Sequence, residues 1–306
     1  MTSSAWTSER IVAARPAKHA VDLSRPYAYF VEAERQRDGQ LEDVAVLMLT
    51  GRECVFRCLM CDLWKHTIDG PTPPGAIPTQ IRFGLDHLPP ATQIKLYNGS
   101  NFFDPHAVPV VDHEAIISLA SGMNRVIVEN HPRLCGPRIA PFRDSLRDRS
   151  GAMLEIAMGL ETVHPGVLRL LNKGMTTDDF RRACDFLVSM EVAIRAFVLL
   201  RPPTMDEAQG IEWAIRSIEF AFDCGVGVVS VIPTRAGNGA MESLQQSGDF
   251  EHPAWRSLEK AQVAGIAMNR GRVFVDLWDS ESEPLTDDEH ASVASMRRMN
   301  AEQRIV

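Results

Sequence analysis

Short apolar runs alternate with longer amphipathic stretches along this chain. Val44-Ala45-Val46-Leu47-Met48-Leu49 is apolar without a break. Similar runs recur at Ile94 to Tyr97, Arg125 to Val128, Leu154 to Met158, Ala193 to Leu200 and Val226 to Ile232. Continuous rather than alternating hydrophobicity predicts strands buried on both faces, as in a parallel sheet. Between them the period changes. Thr177 to Leu187 reads as a helix, with Thr176 or Thr177 as its cap and Asp178 and Asp179 in its first turn, where the helix dipole favours acids. Asp206 to Cys224 reads as another, with Ile211, Ala214, Ile215, Ile218 and Ala221 on one face.

Strands alternating with helices predict βαβ units. Six such strands suit an α/β fold built as a partial (β/α)6, TIM-like barrel, whose functional residues belong at the C-terminal ends of the strands. Residues 1–42 read as an N-terminal helical extension with a polar break at Arg37-Asp38-Gly39-Gln40, and residues 43–242 as the barrel. Residues 243–306 form a C-terminal extension. In it Arg272 to Trp278 is a candidate late strand, and a polar helix follows the acidic stretch 279–283.

A length of 306 residues allows one substantial core. The 32 basic and 40 acidic residues give a formal charge of −8, which argues against a large nucleic-acid footprint. No apolar run reaches membrane-spanning length, and the first six residues lack the apolar region of a signal peptide. A cytoplasmic protein is expected. Three of the six cysteines fall within eight residues, a cluster that suits metal binding better than a disulfide framework. Cys135, Cys184 and Cys224 stand apart and read as small core hydrophobes.

The cluster is Cys54-Val55-Phe56-Arg57-Cys58-Leu59-Met60-Cys61, placed directly after the first predicted strand. Its C-x₃-C-x₂-C spacing has no fourth cysteine nearby. Three thiolates hold three irons of a 4Fe–4S cubane and leave the fourth without a protein ligand, an open site for chemistry. The competing reading is a structural zinc site with His66 as fourth ligand.

This spacing after a first strand resembles the signature of the radical S-adenosylmethionine (SAM) superfamily. The resemblance spans about residues 43–242 and implies one 4Fe–4S cluster, held by Cys54, Cys58 and Cys61, with SAM chelating the open iron. It further implies reductive cleavage of SAM to a 5′-deoxyadenosyl radical, fed by an electron donor such as flavodoxin or ferredoxin. Met60 stands where the family often has an aromatic residue, whose backbone lies near the adenine. Asn98-Gly99-Ser100 stands where the family places a turn binding the SAM amino group; an ordinary turn explains it too.

Glu129-Asn130-His131-Pro132-Arg133 resembles the Glu-x-x-Pro-Arg segment of the subgroup holding the elongator catalytic subunit and coproporphyrinogen dehydrogenase. There the glutamate reaches the SAM ribose. Gly159-Leu160-Glu161-Thr162 with Asn172-Lys173-Gly174 resembles a block of methylthiotransferases, the elongator subunit and the archaeosine synthase radical subunit. By that match Glu161 binds ribose hydroxyls and Lys173 pairs with the SAM carboxylate. For Glu129 an exposed strand end, and for Lys173 a surface residue before a helix, remain the competing explanations. Arg201-Pro202-Pro203 and the turn 233–239 resemble strand ends that line the adenine pocket.

No further C-x₂-C pair suggests an auxiliary cluster. A small-molecule or peptide substrate is expected. RNA modification is the alternative, with Arg133, Arg138, Arg143, Arg147 and Arg149 as a local basic stretch. A non-catalytic zinc or iron–sulfur protein is the non-enzyme alternative.

Overall fold

Each apolar run forms a strand in the computed structural model, which describes residues 6–281 and 284–306. Residues 1–5, and the 282–283 part of the acidic stretch, lie outside the described residues. In chain order the elements are α1 (Ser8–Ala14), β1 (Ala28–Arg35), β2 (Leu41–Leu49), α2 (Ala76–His87), β3 (Gln93–Asn98), α3 (His113–Leu119), β4 (Arg125–Glu129), α4 (Ile139–Ser150) and β5 (Met153–Glu161). There follow α5 (Pro165–Leu170), α6 (Thr177–Ser189), β6 (Ala193–Leu200), α7 (Glu207–Asp223), β7 (Val228–Pro233), α8 (Ala240–Ser247), α9 (Trp255–Ala267), β8 (Arg272–Val275) and α10 (Asp287–Glu302). Capping boxes start three of the helices: Thr176 with Asp179, Asp206 with Gln209, and Thr286 with Glu289.

The strands form one sheet in sequence order, β1 to β8. β2 through β8 run parallel, so the late strand joins the sheet as its seventh parallel member. Glu34 on β1 receives two hydrogen bonds from Arg195 on β6, at 2.8 and 2.9 Å. In a flat sheet strands five places apart are about 24 Å distant. The sheet therefore curls into a partial barrel. Outward-facing Leu47, Leu96, Val128, Ile156, Val198 and Val231 pack under the helices in one large core. The inward face carries a smaller apolar layer of Val44, Ile127 and Ala157 with Tyr97 and Phe197.

Below that layer the barrel is plugged by charge. Arg195 also bonds Glu155 at 2.8 Å, Arg125 bonds Glu155 at 3.0 Å, and Lys95 bonds Glu32 and Glu34. Burial would raise the Glu34 carboxyl, but Arg195 and Lys95 hold it well below the usual carboxylate range.

Two expectations change here. Residues 28–35, assigned to a helical extension, form β1, antiparallel to β2 with Phe30 opposite Val46. Arg37-Asp38-Gly39-Gln40 is the hairpin turn between them, with Gly39 at φ 86°. Glu34 on this strand is buried and, with the partly exposed Glu32, pairs with Lys95. The expected boundaries at 42/43 and 242/243 fall inside β2 and α8. The exposed edge of β8 is covered by α10. Asn300 pairs with both backbone groups of Val275, at 3.0 and 2.9 Å, and Gln303 does the same for Val273, at 2.8 and 3.1 Å. Among the described residues no helix is long and apolar enough to cross a membrane.

Candidate active site

The cysteine loop leaves the C-terminal end of β2, and other strand ends pin it from several sides. Cys54 N–H donates to Gly99 O at 3.0 Å, after β3, and Leu59 N–H donates to Leu171 O at 2.9 Å, after β5. Asn172 Nδ2 donates to Arg57 O at 2.7 Å. Asn238, after β7, donates through Nδ2 to Leu59 O at 2.7 Å and to Cys61 O at 3.2 Å. Trp64 Nε1 donates to Cys61 O at 3.0 Å. These contacts fix the loop's path without using a sulfur atom.

All six cysteines are free thiols. Burial pushes the Cys58 thiol up to about 11, against the pull of Lys173, while Cys54 adds to the rise. Burial, Cys58, Asp62 and Cys54 push Cys61 up as well. Cys58 and Cys61 thus share one charge environment. A thiolate there is costly unless a cation compensates it, which bound iron does. The donor set therefore fits an iron–sulfur cluster.

The expected SAM-binding positions are brought round this loop from separate strand ends. Asn98 N–H donates to Glu129 Oε2 at 3.1 Å, and Ser100 N–H to Asn98 Oδ1 at 3.2 Å. Gly99 lies flat on the cysteine loop, since a Cβ there would stand 2.6 Å from Thr67 Cγ2 and 2.8 Å from Leu63 O. The hydroxyls of Ser100 and Tyr27 are buried without a hydrogen-bond partner. Met60 packs between two small apolar clusters, one around Leu59 and Met241 and one around Leu171 and Leu199.

Glu161 closes β5 in the left-handed region, at φ 65°, where the register with β6 shifts. Its Oε1 takes a 2.6 Å hydrogen bond from Lys173 Nζ, and both side chains are buried. Burial opposes the lysine's charge, but Glu161 and Cys58 more than restore it and raise its pKa. Gly159 makes room for the pair: a Cβ would lie 2.0 Å from Glu161 Oε1 and 2.3 Å from Lys173 Nζ. Lys173 is thus not the surface residue of the competing explanation.

Burial raises the Glu129 carboxyl from 4.5 to about 7, partly offset by the Asn98 amide and Lys173. Between those values the folded chain keeps a proton that the unfolded chain has released. Stability contributed by this group is therefore lost as pH rises from about 4.5 to about 7, by up to about 3 kcal/mol. Glu129→Gln removes that loss. Its melting temperature should match wild type near pH 5 and exceed it by several degrees at pH 8. A difference independent of pH would contradict this.

Sequence reasoning passed over Asn101 and gave Gly159 and Asn238 no role of their own. Asn101 donates to the Cys54 sulfur at 3.3 Å and accepts from His131 N–H at 2.7 Å. His131 in turn stacks on Phe56, with ring centroids 3.7 Å apart, and its Nε2 lies 3.0 Å from Lys173 O.

No protein-family model matches the chain. Over 185 residues it is 25% identical to archaeosine synthase subunit beta of Methanosarcina acetivorans, covering 58% of this chain and 52% of that protein. The chain thus spans about half the length of this relative. An uncharacterized protein of Methanocaldococcus jannaschii is 21% identical over 254 residues, 78% of this chain and 69% of that one. Among solved structures, methylornithine synthase superposes with a TM-score of 0.54 at 14% identity, over 86% of this chain and 70% of that one. Elp3 of Methanocaldococcus infernus superposes with a TM-score of 0.50 at 13% identity, over 73% of this chain and 58% of that one.

The fold is that of the radical SAM enzymes.

On that fold the cysteine loop sits after the first parallel strand, at the barrel mouth. His66, the fourth ligand of the zinc reading, stacks on Tyr27 at a 3.9 Å centroid distance and meets His19 edge-on. Among the described residues no three His, Cys, Asp or Glu side chains are grouped so as to hold a metal ion. A cubane asks for a different spacing, with one thiolate at each of three iron corners. Of the basic stretch, Arg143, Arg147 and Arg149 are paired with Asp144, Asp148 and Glu114. Cys184 and Cys224 are buried in the outer core, and Cys135 packs against it.

Proposed function

We propose that this chain is a radical SAM enzyme that uses one 4Fe–4S cluster to abstract hydrogen from a small-molecule or peptide substrate. The observation that carries the reading is three buried or half-buried thiols, with the buried Glu161–Lys173 pair beside Cys58 and Glu129 at the end of the neighbouring strand. Cys54, Cys58 and Cys61 would hold three irons. A bound cluster supplies the single electron for cleaving SAM.

The residues around it would bind and orient. Lys173 exchanges its Glu161 partner for the SAM carboxylate, so that its buried charge is never left unpaired. Glu161, so released, and Glu129 accept from ribose hydroxyls. The turn Asn98 to Ser100 faces the amino group, and the backbone at Met60 lies by the adenine. Packing of Leu59, Trp6, Met241 and Phe250 behind the loop excludes water from this side. Electrons would come from an external protein such as flavodoxin or ferredoxin.

A second reading, action on a nucleobase of RNA, is favoured by the similarity to archaeosine synthase subunit beta. The paired arginines and the net charge of −8 weigh against it.

Anaerobically reconstituted protein should be brown and should release 5′-deoxyadenosine from SAM under a strong reductant. Iron-loaded protein that neither binds nor cleaves SAM would sink the proposal. Binding of bulk tRNA at physiological salt, tighter than binding of a same-length poly-U, would favour the second reading.

A further inference from the structure

The Asn101 amide is buried, at 1% exposure, and both its ends are committed. Its Oδ1 accepts the backbone N–H of His131 at 2.7 Å, and this settles which end of the amide faces the cysteine. Nδ2 then donates to Cys54 Sγ at 3.3 Å, a good N–H···S length. Cys54 is held at the same time by Gly99 O through its own N–H. Two groups after β3 therefore grip one cysteine, one by its backbone and one by its sulfur.

We propose that Asn101 sets the reduction potential of the cluster by donating a hydrogen bond to the Cys54 thiolate, and that it ties this sulfur to the His131 turn. The inference rests on the cluster reading above. The physical reason is simple. Reduction adds negative charge that spreads onto the sulfurs, and a fixed N–H donor stabilises the reduced form more than the oxidised one. The potential rises accordingly. Asn101 acts through Cys54 and is a positioning residue, not a catalytic one. Through His131 the same amide reaches Lys173, whose carbonyl oxygen His131 Nε2 contacts at 3.0 Å. The sulfur and the backbone of the SAM-side lysine are thus linked through two residues, Asn101 and His131.

Two variants of the full chain test this. Asn101→Asp keeps an oxygen for His131 N–H and removes the donor to sulfur; Asn101→Leu removes both. Both should load iron and sulfide as wild type does. In a redox titration followed by electron paramagnetic resonance, both should be reduced less readily. The expected shift is about tenfold in the reduction equilibrium, equivalent to about 59 mV toward negative potential for one electron. A wild-type potential in a loaded Asn101→Asp variant would overturn the proposal, as would failure of either variant to assemble a cluster that wild type assembles. A wild-type chain that takes up no cluster would instead strike down the enzymatic reading beneath it.

Discussion

Cys58→Ala should leave the folded chain unable to assemble a 4Fe–4S cluster. Cys58 is the most buried of the three loop cysteines, at 8% exposure. Its loss leaves two thiolates for a cubane that needs three protein corners. The fold should survive, because the contacts that pin the loop are made by backbone groups and by Asn172, Asn238 and Trp64. Replacing a small buried thiol by a methyl group costs on the order of 1 kcal/mol. Iron and sulfide should therefore drop to background after reconstitution, while the far-ultraviolet circular dichroism stays that of wild type. Wild-type iron in this variant would remove Cys58 from the donor set.

The second large effect is expected at Lys173. Lys173→Met leaves Glu161 buried without its 2.6 Å partner, and breaking a buried pair in this way costs about 3–5 kcal/mol. SAM affinity should fall further, by about 30-fold to 4000-fold, the range for truncating one member of a buried charge pair at an interface. Adding Glu161→Gln to Lys173→Met should recover much of the melting temperature, since no orphan charge then remains, but should not recover SAM binding. Equilibrium dialysis with labelled SAM and thermal melts of both variants separate the two consequences. Equal SAM affinity in wild type and Lys173→Met would show that the lysine serves the fold alone.

The strands were readable because their hydrophobicity is continuous, and continuity means burial on both faces wherever the strand lies. β1 was not readable for the same reason. Tyr29, Phe30 and Val31 favour a strand, yet Glu32 and Glu34 interrupt the run, and nothing local says that these acids face Arg195 and Lys95 across a barrel. Lys95, Arg125, Glu155 and Arg195 occupy inward positions of four different strands, and each alone resembles an ordinary polar interruption. Asn101 was hidden likewise, because an asparagine three residues past a strand is a common turn former. Only contact with Cys54 distinguishes it.

From the sequence alone came six of the seven parallel strands, the seventh only as a candidate, the place of the cysteine loop at the first strand's exit, and the candidate residues at later strand ends. Local pattern suffices there, because period, capping and cysteine spacing are properties of neighbouring residues. Tertiary structure alone decided that Glu161 pairs with Lys173, that Gly159 must stay small beneath them, and that β1 extends the partial barrel around a buried ion network. Those facts depend on which distant residues curl into contact, and no local pattern encodes that.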